Sequence, residues 1–257
     1  MNIKKYDLTG PGTKFKRRLE WLPGDTLEHF EKQPKEHQEI WNAKDPIYYD
    51  INQYGFRCGI FPEEECRESI TFLGCSLTHG IGIHKENTWP VLLSNMLGMR
   101  EINLGIPGGS TDSAFRVYNE WQPIHKSKIT CLLLPPCHRM EMISDNKWAN
   151  IGNWVQSRKD LTKEILVKLL DPTLTEVRVD RNNAAINWIA QQTDSTLITI
   201  DYTSVRVTED QLGRDNTHPG EQWHKEIAEK FYDRIIHTTS INPHRVSQEQ
   251  SNDTQGR

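Results

Sequence analysis

Ile70-Thr71-Phe72-Leu73-Gly74-Cys75-Ser76-Leu77-Thr78-His79-Gly80 is the stretch on which the fold turns. Ile70, Phe72 and Leu73 form a short apolar run that reads as a buried strand, and the run stops at Gly74. Ser76 follows in a small, polar turn flanked by Gly80 and Gly82. A strand that ends this way presents a hydroxyl at the carboxyl edge of a sheet, where α/β proteins place their ligands. The turn also offers backbone N–H groups to an anion. A serine after a strand commonly does no more than cap a helix. The stretch gains weight from Asp215-Asn216-Thr217-His218-Pro219-Gly220 near the other end, where a carboxylate and an imidazole stand three residues apart.

Outward from residue 70 the pattern alternates strand and helix, which predicts a parallel sheet with helical crossovers. A strand over about 70–74 leads to a helix over about 87–98, capped at Asn87 or Thr88 and carrying Val91, Leu92, Leu93, Met96 and Leu97. Glu101–Leu104 reads as a second strand ending at Gly105. Pro107-Gly108-Gly109 is a loop, and Ser110 or Thr111 opens the next helix. Ile129–Leu134 is a continuous apolar run, the mark of a central strand covered on both faces, and it stops at Pro135-Pro136. Helices are expected near 158–170 and 181–192, a strand at 196–200, and a last helix over about 220–236. That last helix has Trp223, Ile227, Ala228, Phe231 and Ile235 at helical spacing.

Before residue 70 the chain mixes charge, proline and aromatics. A helix over roughly 25–42 is expected there, anchored by Trp21, Phe30, Ile40 and Trp41, with a strand or hairpin over Tyr48–Arg57. The organisation expected is an extension over 1–69 packed on a core domain at 70–237. A polar tail over 238–257 has little to bury and reads as disordered.

The 257 residues suit one sizeable α/β domain, and a hydrophobic content of 35% leaves room for polar periphery. Lys and Arg number 31 against 35 Asp and Glu, so the net charge of −4 carries no footprint for nucleic acid or an anionic membrane. No segment reaches the roughly eighteen apolar residues of a membrane span, and no apolar run follows the N-terminus as in a secretory signal. Five cysteines with no C-x-x-C pair favour reduced thiols, hence a cytoplasmic setting, and argue against structural zinc. His79 and His84 lack acidic or thiol partners at ligand spacing, so no metal and no cofactor are expected. His224 on the last helix reads as a surface residue, and Trp89 and Trp223 as core or cleft-wall aromatics.

Acyl transfer needs a nucleophile, a base, an acid to orient the base, and donors for the developing oxyanion. Ser76 can serve as nucleophile and His218 as base. Asp215 can bond one ring nitrogen of His218 across a tight turn, leaving the other facing Ser76. The Ser76 and Gly105 amides are candidate oxyanion donors, glycine permitting close approach.

Gly74-Cys75-Ser76-Leu77-Thr78-His79-Gly80 resembles the first sequence block of the SGNH, or GDSL, hydrolases. Asn103-Leu104-Gly105-Ile106-Pro107-Gly108-Gly109-Ser110-Thr111 resembles their second block, and Asp215-Asn216-Thr217-His218-Pro219 their last. The resemblance covers about 70–237. It implies a three-layer α/β/α sandwich around a five-stranded parallel sheet of flavodoxin-like order. It further implies a metal-free esterase, lipase, carbohydrate deacetylase or thioesterase, with Gly105 as oxyanion donor. The G-x-S-x-G elbow of the α/β-hydrolases is not present around Ser76.

Two positions depart from the family pattern. Cys75 stands where the first block has aspartate; it is either a small buried thiol or a nucleophile in its own right. The third block, G-x-N-D in the family, is replaced by Leu134-Pro135-Pro136-Cys137-His138-Arg139, with no asparagine to donate to the oxyanion. Arg139 or His138 can substitute as donor, and Arg139 can meet a negatively charged substrate. The expected reaction is hydrolysis of an O-acyl ester on a carbohydrate or other small polar molecule, with transfer to another acceptor using the same residues. The competing expectation is a protein that keeps the fold and binds without turnover.

Overall fold

The computed structural model describes residues 17–144, 147–152, 171–208 and 212–239. Every residue of β3 (Ser69–Leu73) is buried, as its apolar run requires. Beside it lie β4 (Arg100–Asn103), β5 (Ile129–Leu134) and β8 (Thr196–Asp201), in the order β4-β3-β5-β8 and all parallel. Side chains alternate across the sheet. Ile70, Phe72, Ile129, Cys131 and Leu133 meet α4 (Trp89–Leu97) and α7 (Glu221–Thr238) on one face. Leu73, Ile102 and Leu132 meet α5 (Thr111–His125) and α6 (Pro172–Gln192) on the other. The result is a three-layer α/β/α sandwich. Among the described residues its sheet has four strands, which corrects the expected five.

One boundary differs from expectation for a local reason. α6 starts nine residues before 181, because Asp171 caps it, accepting from Thr173 N (2.9 Å) and Leu174 N (3.1 Å), with Pro172 in the first turn. The helix expected at 158–170 and the tail from 240 onward lie outside the described residues. After Pro135-Pro136 the chain forms an unanticipated antiparallel hairpin, β6 (Met140–Ser144) and β7 (Lys147–Ile151).

The segment before residue 69 builds its own layer. β1 (Arg17–Leu19) pairs antiparallel with β2 (Tyr49–Ile51), and Arg18 bonds Asp50 across the pair at 2.8 Å. The single helix expected over 25–42 is two, α1 (Leu27–Phe30) and α2 (Lys35–Asn42). Pro34 separates them: it cannot donate an N–H and it disfavours helical backbone at Gln33. Leu22, Phe30, Trp41, Ile47, Tyr49 and Ile51 form a third apolar cluster that takes in Ile81 and Ile83 from the core domain. Ile40 is 56% exposed and is not an anchor; it sits one step around a short helix from buried Trp41.

The register aligns the strand ends. Phe72 stands opposite Asn103, Leu73 opposite Leu132, and Leu134 opposite Asp201. Gly74–Ser76, Leu104–Gly105, Pro135 and Tyr202 therefore share the carboxyl edge of the sheet.

Candidate active site

Ser76 opens α3 (Ser76–His79), a four-residue helix directly after β3. It is 5% exposed, and an amide at the first position of a helix has no intrahelical acceptor. The helix closes on Gly80, whose N–H donates to Ser76 O at 2.8 Å, and Ile81 N adds a second bond to the same carbonyl at 3.2 Å.

The Asp215–His218 loop folds as a compact turn ahead of α7. Gly213 N donates to His218 O (2.8 Å) and Asn216 N to Gly213 O (2.8 Å), with Asn216 left-handed at φ 51. The fully buried Asp215 carboxylate is filled with donors. Its Oδ1 accepts from His218 N (3.1 Å) and Thr217 N (3.4 Å), and its Oδ2 accepts from His218 Nδ1–H at 2.5 Å. A carboxylate on Nδ1 fixes the proton there and leaves Nε2 as an acceptor, the tautomer a general base needs.

This loop docks on the turn that follows Ser76. Arg214 N donates to Gly82 O at 2.7 Å. Gly82 has φ +78, and a Cβ there would lie 2.7 Å from Asp215 Oδ1, so only glycine lets the carboxylate sit so close. Acid and base are thus joined, and their loop is bonded to the turn carrying the Ser76 carbonyl. The last link is open. Ser76 Oγ makes no hydrogen bond to His218; its side-chain partner is Cys75 Sγ at 3.9 Å.

Gly105 packs against α3, where a Cβ would fall 2.7 Å from His79 N. Its N–H donates to Asn103 Oδ1 at 3.0 Å, and Asn103 Nδ2 in turn donates to Thr78 O at 3.0 Å. The expected oxyanion amide is therefore engaged by Asn103, a buried residue whose bridging part sequence reasoning did not foresee.

Arg139 follows the Pro135-Pro136 break, its N–H donating to Pro136 O at 3.1 Å. The half-buried His138 is pushed below the usual histidine range by burial, then by the Arg139 charge. Tyr202, at the end of β8, has its hydroxyl pushed up mainly by burial and by Asp201, with Arg139 opposing. Arg139 follows β5 and Tyr202 follows β8, so both belong to the β5–β8 side of the edge.

The other histidines have separate surroundings. His79 is buried and stacked on Tyr49 at 6.2 Å; burial, then the charges of Arg57 and His218, bring it down to about 3. His84 bonds Asp45 O (2.8 Å) and Glu221 (3.3 Å). His224, expected at the surface, is 1% exposed: its Nδ1 accepts from Trp89 N at 3.1 Å, and burial takes it down to about 3. Trp89 and Trp223 are core residues. Cys75 is buried, and all five cysteines are free. Among the described residues no group of three or more His, Cys, Asp or Glu could hold a metal ion, and no helix is long and apolar enough to cross a membrane. Sequence reasoning also missed Asp25, His29, Tyr49 and Arg214 beside this site; nothing in their spacing marks them.

No protein-family model matches the chain. No curated protein matches it. Among solved structures, the psychrotrophic esterase EstA from Pseudoalteromonas sp. is similar at 16% identity and a TM-score of 0.37, over 66% of this chain and 97% of that one. A family 3 carbohydrate esterase from Clostridium thermocellum is similar at 17% identity and 0.38, over 65% of this chain and 94% of that one. Axe2, an acetylxylan esterase from Geobacillus stearothermophilus, is similar at 16% identity and 0.35, over 68% of this chain and 96% of that one.

Proposed function

We propose that the chain is a serine esterase of the SGNH kind, with residues 70–237 carrying the reaction and residues 17–69 packed against them. Ser76 Oγ attacks the ester carbonyl carbon while its proton passes to His218 Nε2. Asp215 holds the imidazole through Nδ1 and stabilises the imidazolium. The imidazolium then protonates the leaving alcohol as the C–O bond breaks, and water, activated by the same nitrogen, releases the carboxylic acid from Ser76. The Ser76 amide supports the oxyanion. Gly105 joins it on releasing Asn103, and Arg139 or His138 stands where the third-block donor is lacking. The substrate is an O-acyl ester on a carbohydrate or a similar small polar molecule.

One observation carries this reading: a buried carboxylate fixes the His218 tautomer on a loop bonded to the turn behind Ser76. Catalytic hydrogen bonds are often long before substrate binds, so the open Ser76–His218 link is compatible with it. The test is hydrolysis of a short-chain aryl ester by wild type and by Ser76→Ala, with a fluorophosphonate probe as the direct report on the nucleophile. Equal rates, or equal labelling, remove Ser76 from the mechanism.

The second reading is a binding protein on the same fold. It is favoured by the Gly105 amide already bonded to Asn103 and by prolines at the third block. Loss of one oxyanion donor costs about 10²–10³ in rate, which slows an esterase without silencing it. A folded protein that neither hydrolyses esters nor labels at Ser76 supports this second reading.

A further inference from the structure

Arg214, the residue before the acid, sends its guanidinium away from the sheet edge into the N-terminal layer. Its Nε lies 3.1 Å and its NH2 2.7 Å from the Asp25 carboxylate, and both side chains are buried. The guanidinium is stacked 3.8 Å over the Trp21 ring. Tyr49 O–H donates to the same carboxylate and accepts from Gly82 N–H at 2.9 Å. Arg214 N–H closes the circuit on Gly82 O at 2.7 Å. Gly82, Tyr49, Asp25 and Arg214 thus form one closed ring of hydrogen bonds. It ties the turn after Ser76 to the loop that carries Asp215 and His218.

The loop is gripped further from the same side. His29 Nε2 lies 3.1 Å from Asp215 O and 2.6 Å from Gln33 Nε2, His37 Nε2 bonds Arg214 O (3.1 Å), and Asn216 Nδ2 donates to Gln33 Oε1 (2.8 Å). Three consecutive residues, 214, 215 and 216, are each held by the N-terminal layer, and two of them through their backbone carbonyls. Arg57 works on the opposite strand of the circuit, donating to Gly80 O and to Ile83 O (3.0 Å). Burial and the Asp25 charge both favour a protonated Tyr49 hydroxyl, so this donor is kept.

We propose that residues 20–51 are a positioning brace for the acid–base loop, in which Asp25, acting through Arg214, and His29 are positioning residues that aim His218 at Ser76. The inference rests on the esterase reading for its kinetic consequence and on the ring of bonds for its structural one.

The experiment uses full-length protein and two readouts. One is the split between kcat and KM for an aryl ester. The other is the NMR signal of the His218 ring C–H, assigned by its loss in His218→Gln. His29 is exposed, so His29→Ala spares the fold; it should lower kcat about three- to tenfold, the worth of one hydrogen bond, with KM unchanged. The His218 signal should move, and His29→Gln, whose amide can both donate and accept, should restore both. Asp25→Asn should lower kcat by about a hundredfold, as for a catalytic group displaced by about 1 Å. Folded His29→Ala with unchanged kcat and an unmoved His218 signal overturns the brace, whether or not Asp25→Asn folds. If the wild type hydrolyses no ester, the esterase reading falls and the ring signal alone decides: movement in His29→Ala with recovery in His29→Gln sustains the brace, and an unmoved signal overturns it.

Discussion

Asp215→Asn isolates the pairing on which the proposed chemistry depends. The carboxylate has two different edges. Oδ1 faces two backbone donors, His218 N and Thr217 N, while Oδ2 faces His218 Nδ1 at 2.5 Å. An asparagine amide has one oxygen, and two fixed backbone donors claim it. Its NH2 group must then face Nδ1. Two donors cannot share a hydrogen bond, so the imidazole switches its proton to Nε2 and accepts at Nδ1. The nitrogen meant to take the Ser76 proton then carries a proton of its own. A tautomer error of this kind lowers kcat by about 10⁴, or ~5.5 kcal/mol of transition-state stabilisation. The fold should lose no more than about 1–3 kcal/mol, since shape and the backbone bonds persist. Steady-state hydrolysis of an acetyl aryl ester, with thermal unfolding followed in parallel, measures both. KM should stay within a small factor, because Asp215 is fully buried and its Oδ2 is taken up by His218. A folded Asp215→Asn protein whose kcat stays within about threefold of wild type would refute the tautomer argument.

Gly82→Ala should lower kcat and cost about 1–3 kcal/mol of stability, because alanine is strained at φ +78 and its Cβ would enter the Asp215 carboxylate; wild-type kinetics and melting would contradict the close packing. Acid sensitivity follows from histidines buried as neutral rings. His79 and His224 are held down to about 3 and His125 to about 4, all mainly by burial. Between about pH 6.5, where an unfolded histidine protonates, and these lower values the unfolded chain binds more protons than the native one. Stability is therefore full above about pH 6.5 and falls with acidification, by up to about 1.4 kcal/mol per pH unit for each such ring. Denaturant midpoints between pH 7.5 and 4.5 check this, and a midpoint that rises on acidification contradicts it.

Local chemistry made much of this molecule readable from the chain. β3 and β5 were legible because a strand covered on both faces must be apolar throughout, and α4 and α7 because their apolar residues recur at helical spacing. The split between α1 and α2 is marked locally by Pro34, and the start of α6 by Asp171 and Pro172, which announce a cap. His224 is a different case: on an exposed helix it looks solvated, and only the packing of α7 against α4 brings Trp89 N to its ring.

By itself, the order of residues determined the alternation of strand and helix, the glycine-bounded turn at Ser76, and the pairing of Asp215 with a histidine three positions on. These depend on neighbours in the chain, and the forces that shape them act over a few residues. The tertiary structure decided that Asn103 occupies the Gly105 amide, and that Asp25, 189 residues before Arg214, braces the acid–base loop. A buried ion pair has no periodicity and no fixed spacing; it exists only where folding removes water from two charges and leaves each the other as partner.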